Sequence, residues 1–154
     1  SLIHHIEINV SDLTASKQFW SWLLEKLGFS KYQEWEQGFS YKEDDTYIVF
    51  VQTAERFLDG SYHRGRTGLN HLAFAVDTKH QVDELYKELQ SRGIPLLYTE
   101  RHPFAGGKEH YAVFFEDPDR IKVEVQQDPH SDKRSTSING ENLNYRKWER
   151  LWKS

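Results

Sequence analysis

A chain that repeats its own order of strands and helices must build its fold from two copies of one unit, and this sequence repeats itself over most of its length. Leu2 to Val10 (LIHHIEINV) alternates, with Ile6, Ile8 and Val10 on one side and His5, Glu7 and Asn9 on the other, which is the period of a half-buried strand. Ser11 and Asp12 offer a helix cap, Leu13, Ser16, Trp20, Leu23, Leu24 and Leu27 follow at helical spacing, and Gly28 stands where a helix stops. Strands are expected over Phe29 to Glu36, Phe39 to Glu43 and Tyr47 to Gln52. The order then recurs. Leu69 to Val76 alternates, Thr78 and Gln81 form a capping box ahead of Val82, Leu85, Tyr86 and Leu89, and Gly93 ends that helix. Further strands are expected at Pro95 to Arg101, His110 to Phe115 and Ile121 to Gln126.

The repeat has a register. His5 to Val10 matches His71 to Val76 at an offset of 66, and Val49-Phe50-Val51-Gln52 matches Val123-Glu124-Val125-Gln126 at an offset of 74. The expected organisation is one domain over 1–127, with module one at 1–52, a polar linker at 53–68 and module two at 69–127. Residues 128–154 form a polar tail whose end, with Tyr145, Trp148, Leu151 and Trp152 at helical spacing, reads as a short amphipathic helix. That end is expected to dock on the domain or on a second copy of the chain, so a homodimer stays open as a partner.

Composition removes several functions. With 20 Lys plus Arg against 24 Asp plus Glu, a net charge of −4 offers no basic surface for a phosphate backbone, which argues against nucleic acid as a partner. No apolar window approaches the roughly 18 residues of a membrane span, and the first residues enter a strand without a signal-peptide apolar region. No membrane partner and a cytoplasmic location are therefore expected. The absence of Cys removes disulfides, thiolate metal sites and cysteine nucleophiles together, so any metal falls to His, Asp or Glu.

Among those residues, His5 and His71 occupy equivalent positions on the first strands of the two modules, each opposite the aliphatic face. Glu124 shares a face with Lys122 and Gln126, while Ile121, Val123 and Val125 look the other way. If the strands curl into a shared sheet, His5, His71 and Glu124 point into one concavity, as the two-imidazole, one-carboxylate triad that leaves positions open for water or a chelating substrate. The same pattern also describes solvated, hydrogen-bonded strand residues.

Three segments in order resemble the vicinal oxygen chelate superfamily, which includes glyoxalase I, methylmalonyl-CoA epimerase, fosfomycin-resistance proteins, extradiol dioxygenases and bleomycin-binding proteins. They are His5-Ile6-Glu7-Ile8-Asn9-Val10-Ser11-Asp12-Leu13 with Phe19-Trp20, then Asn70-His71-Leu72-Ala73-Phe74-Ala75-Val76-Asp77, then Phe115-Glu116-Asp117-Pro118-Asp119 followed by Val123-Glu124-Val125. The resemblance covers about residues 2 to 127. It implies an α+β fold of two βαβββ modules that form a curved eight-stranded cup with the helices outside. It also implies a divalent metal, Fe, Mn, Zn or Ni, on His5, His71 and Glu124. The fourth protein ligand that glyoxalase I and the epimerase carry falls, on the 74-residue offset, at Phe50, which cannot ligate. Gln52 lies two residues further along the same face as an acceptor, and both positions are expected to line the substrate site.

Other residues carry weaker signals. His110 precedes the run to Phe115-Glu116-Asp117-Pro118 and is the candidate acid/base group, in competition with a plain role at a strand end. Pro103-Phe104-Ala105-Gly106-Gly107-Lys108 reads as a flexible loop that, with Arg101 and Lys108, can close over an anionic substrate or simply connect two strands. Asp117-Pro118-Asp119 reads as a tight turn, and Arg64 and Arg66 as either an anion fork or a solvated hinge. Trp20, Trp22 and Trp35 read as core and surface aromatics. The expected function is metal-dependent transformation of a small oxygen-rich substrate, by dioxygenase or lyase chemistry. The alternatives are a non-enzymatic binding protein of the bleomycin-resistance kind and a glyoxalase I-like lyase.

Overall fold

The structure, a computed structural model, describes residues 2–60, 62–128, 137–138 and 141–142. The chain divides into two compact units: residues up to Leu72 with Glu116–Lys122, and Ala73–Phe115 with the residues from Val123 onward. The first module runs β1 (His5–Val10), α1 (Leu13–Lys26), β2 (Ser30–Trp35), β3 (Gly38–Glu43) and β4 (Thr46–Gln52), in a sheet of order β1-β4-β3-β2. β1 is parallel to β4, and β3 is antiparallel to both β4 and β2. The second module runs β5 (His71–Val76), α2 (Lys79–Ser91), β6 (Leu96–Leu97), β7 (Ala112–Glu116) and β8 (Lys122–Gln127), in a sheet of order β5-β8-β7-β6.

Two βαβββ modules are thus present, but the expected curved cup of eight strands is not. The strands form two separate, open, four-stranded sheets with no ladder joining them among the described residues. Alternation tells which side of a strand is buried but carries no information about its neighbour, and β1 finds its partner in β4 of its own module. In the segment expected to be an irregular tail, β9 (Ser137–Ile138) pairs antiparallel with β10 (Glu141–Asn142). The helix expected over Tyr145 to Trp152 lies outside the described residues. Among the described residues no helix is long and apolar enough to cross a membrane.

Local chemistry sets both helices. Asp12, extended at φ −138°, caps α1 by accepting from the Ala15 N–H at 3.2 Å, and Gly28 leaves the helix at φ +98°, a conformation that favours glycine. The buried stripe of α1, Phe19, Trp20, Leu23 and Leu24, packs on its own sheet, with the Trp20 indole stacked on Phe50 at 4.9 Å and Phe50 on Phe39 at 5.0 Å. Thr78 and Gln81 form the expected capping box at the start of α2, which buries Val82, Leu85 and Leu89.

The turn between β7 and β8 gathers the first unit. Asp117 is buried, and its Oδ2 accepts from Trp20 Nε1 at 3.0 Å while its Oδ1 accepts from the backbone N–H groups of Asp119 and Ile121, each at 2.8 Å. Asp119 takes the Ser11 backbone N–H at 3.1 Å and the Ser11 hydroxyl. Arg64 reaches Glu116 at 2.9 Å and the Arg120 carbonyl at 3.1 Å, so its guanidinium holds the linker to this turn and is not a free anion fork.

Burial pushes the Asp117 carboxyl up from 3.8 to about 6, against the N–H donors of Ile121, Trp20 and Asp119 and with the charge of Asp119 adding to the rise. Because the folded value lies above the unfolded one, the associated stability is complete below about pH 4 and is lost as pH rises through 6. The total is about 3 kcal/mol. In Asp117→Asn this decline should vanish from a plot of urea midpoint against pH. Overall stability should also fall by about 1–3 kcal/mol, because an amide can accept from only one side of its donor set. An unchanged slope between pH 4 and 6 would place the titration elsewhere.

Candidate functional site

Register on the first sheet sorts its side chains into two sets. Facing α1 are Ile6, Ile8 and Val10 of β1, Ile48 and Phe50 of β4, and Phe39 and Tyr41 of β3, with the Tyr41 hydroxyl donating to Glu25 of α1 at 2.8 Å. On the other face His5 stands opposite Tyr47, Glu7 opposite Val49 and Asn9 opposite Val51, and β3 continues these rows with Lys42, Ser40 and Gly38. β2 completes them with Ser30, Gln33 and Trp35.

This second face is aromatic. The His5 imidazole stacks on Tyr47 with centroids 4.8 Å apart and planes 8° from parallel, and His4 meets both rings edge-on at 5.0 and 5.4 Å. A register shift between Lys31 and Gln33 inserts Tyr32, whose ring lies 5.1 Å from Tyr47 and carries the Lys42 ammonium 4.6 Å from its centroid. At the far end the Trp35 indole lies directly on Gly38, where a Cβ would sit 2.5 Å from the ring. The middle, Ser40 and Val49, is buried, while Tyr32 and Trp35 keep 47% and 45% of their surface exposed.

In the second module Glu124 projects from β8 opposite the buried Val123 and Val125. The loop before β7 comes down beside it: a side-chain carbon at Gly106 would lie 3.6 Å from Glu124 Oε1, 3.4 Å from His110 Cβ and 3.6 Å from Phe114 Cζ. Glu124 and His110 are therefore neighbours of one glycine. The loop is pinned to α2, since His102 stacks on Tyr86 at 3.9 Å and Phe104 packs edge-on against Tyr111, whose hydroxyl donates to Asp83 at 2.6 Å. Burial lowers the His102 imidazole from its ordinary value, with Asp83 and the backbone of Ala112 opposing that shift. Arg101 is exposed, paired with Glu100 at 3.6 Å and lying over the Tyr98 ring at 5.0 Å, and Lys108 is exposed on the loop.

Of the expected triad, His5 and His71 belong to the first unit and Glu124 to the second. His5 Nδ1 lies 2.8 Å from His4 Nδ1, and His71 Nδ1 lies 2.7 Å from Asn70 Oδ1. Among the described residues no group of three or more His, Asp or Glu side chains that could hold a metal ion is found.

Phe50 and Gln52 lie elsewhere than on the expected substrate face. Phe50 is fully buried between Trp20 and Phe39, under α1, and does not line the other face. The Gln52 amide accepts from the Leu13 N–H at 2.9 Å and donates to the Ser11 carbonyl at 2.9 Å, so it clasps the entry to α1 and is not a substrate contact. The reason is a one-residue error in the repeat. Thr53 donates to Val10 as Asp128 does to Val76, and the Gln52 amide donates to the Ser11 carbonyl as the Gln127 amide does to that of Asp77. The true partner of Gln52 is Gln127, an offset of 75. Val49, not Phe50, is then the counterpart of Glu124.

The family model of the Glyoxalase/Bleomycin resistance protein/Dioxygenase superfamily matches residues 2–125. The chain belongs to this superfamily. It is 57% identical over 123 residues to the uncharacterized protein YqjT of Bacillus subtilis, covering 80% of this chain and 96% of the relative. A crystal structure of a candidate glyoxalase from Bacillus halodurans is 56% identical, with a TM-score of 0.82 and coverage of 83% of this chain and 96% of that one. Lactoylglutathione lyase from Agrobacterium tumefaciens, at 23% identity and a TM-score of 0.57 over 81% of this chain and 92% of its own, shares the superfamily fold.

Tyr32, Tyr47 and Lys42 escaped the sequence reading, although Tyr47, Val49 and Val51 do alternate against Ile48, Phe50 and Gln52. The corrected register carries its own test. Phe50→Glu buries an unpaired carboxylate beneath α1 and should cost several kcal/mol, a loss that added zinc or nickel leaves unrepaired in a thermal melt. Rescue by either metal would restore the 74-residue offset.

Proposed function

We propose that this chain binds a small planar molecule on the face of the first sheet that points away from α1. The observation that carries this reading is the run of His5, Tyr47 and Tyr32 rings at one end of the face, with the half-exposed Trp35 indole, lying on Gly38, at the other. Rings of this kind offer large apolar area at little cost in side-chain entropy. Titration of the EDTA-treated protein with a planar aromatic probe should quench tryptophan fluorescence saturably. Tyr47→Ala should weaken binding about five- to tenfold, the worth of one stacked ring. Absence of saturable quenching, or undiminished affinity in both Tyr47→Ala and Trp35→Ala, would overturn the assignment.

The similarity to the Bacillus halodurans candidate glyoxalase supports a second reading, a metal-dependent dioxygenase or lyase. Its ligands would be His5, His71 and Glu124 to Fe, Mn, Zn or Ni, with His110 as the acid/base group and Arg101 and Lys108 as substrate contacts. Among the described residues no such cluster of three His, Asp or Glu side chains is found, which favours the first reading. Metal analysis of protein purified without chelator or affinity tag separates the readings. Stoichiometric metal that disappears in His5→Ala, His71→Ala and Glu124→Ala but persists in His4→Ala would establish the enzyme, and equal content in all four variants would remove it.

A further inference from the structure

The planar-ligand reading leaves the charge of the ligand unspecified, and Lys42 bears on it. Lys42 stands in the same cross-strand row as Tyr47 and His5, one strand over on β3, so its side chain emerges on the aromatic face. It is half-buried, and among the described residues its ammonium meets the Tyr32 ring and no carboxylate. The other lysines around this sheet differ. Lys17 and Lys31 are both paired with Glu34, which lies opposite Phe39 and therefore on the α1 side. The strand positions of the aromatic face carry one carboxylate, Glu7, set in the next row beside Val49.

From this we infer that the ligand is a planar aromatic anion, its ring on the Tyr32–Tyr47–His5 surface and its carboxylate or phenolate oxygen on the Lys42 ammonium. This rests on the planar-ligand reading and adds the charge. The ammonium of a half-buried lysine that meets no carboxylate among the described residues gains more from an incoming anion than that of an exposed lysine, because less solvent is there to screen it. The cation–π contact holds the ammonium over the face of the Tyr32 ring, 4.6 Å from its centroid, beside the neighbouring Tyr47 ring, so that the edge of an aromatic acid packed against Tyr47 would meet it.

The test uses three matched probes, 2-naphthoate, 2-naphthamide and 2-naphthylmethylammonium, titrated into the full chain by calorimetry at low and moderate salt. Naphthoate should bind about tenfold more tightly than naphthamide at low salt, the worth of one hydrogen bond to a charged group, and the gap should narrow as salt rises. Lys42→Gln should erase the gap between acid and amide, and Lys42→Arg should restore it. Far-ultraviolet circular dichroism of both variants shows that the fold is intact. Equal affinity for the acid and the amide, or preference for the ammonium, would overturn the anion assignment while leaving planar binding standing. Binding of none of the three would overturn both.

Discussion

The hydrogen bond from the Trp20 indole to the buried Asp117 carboxylate joins residues 97 positions apart, and much of the first unit is organised around it. One oxygen of Asp117 holds α1 through Trp20, and the other closes its own turn through Asp119 and Ile121. The same turn reaches the exit of β1 through Ser11 and the linker through Arg64. Helix, first strand and linker are thus referred to one five-residue turn and the glutamate that precedes it. A buried carboxyl costs free energy unless its lone pairs are occupied, and here they are occupied by groups from distant parts of the chain. Breaking the set therefore loosens three segments together.

Much of the architecture was legible because it is written locally. Asp12, Thr78 with Gln81, and Gly28 announce the ends of the helices by chemistry that acts over three or four residues. The alternation of β1 and β5 shows which of their side chains face the helices. Strand pairing is non-local, so the expected single cup could not be checked against the sequence, and two separate four-stranded sheets took its place.

The candidate site was less legible, for two identifiable reasons. The first is the Gln126-Gln127 doublet, which lets a pattern match settle on either glutamine; only the backbone bonds of Thr53 and Asp128 show that Gln127 is the counterpart of Gln52. One residue of slip exchanges the two faces of a strand, and so Phe50 was assigned to the wrong side. The second is the bulge in β2, an insertion that brings Tyr32 to the face where Tyr47 and Lys42 stand. Strict alternation has no place for such a residue.

Consider finally what it means that Ile48, Phe50 and Gln52 secure β4 against α1 while Tyr47, Val49 and Val51 stand between them on the opposite face. The residues that hold the strand to the helix and the residues of the opposite face are interleaved on one segment yet point in opposite directions. Exchanging one set leaves the contacts of the other nearly untouched. A lineage built on this strand is free to wander in chemical preference while inheriting its scaffold intact, and that freedom suits a superfamily whose members include resistance proteins, glyoxalases and dioxygenases.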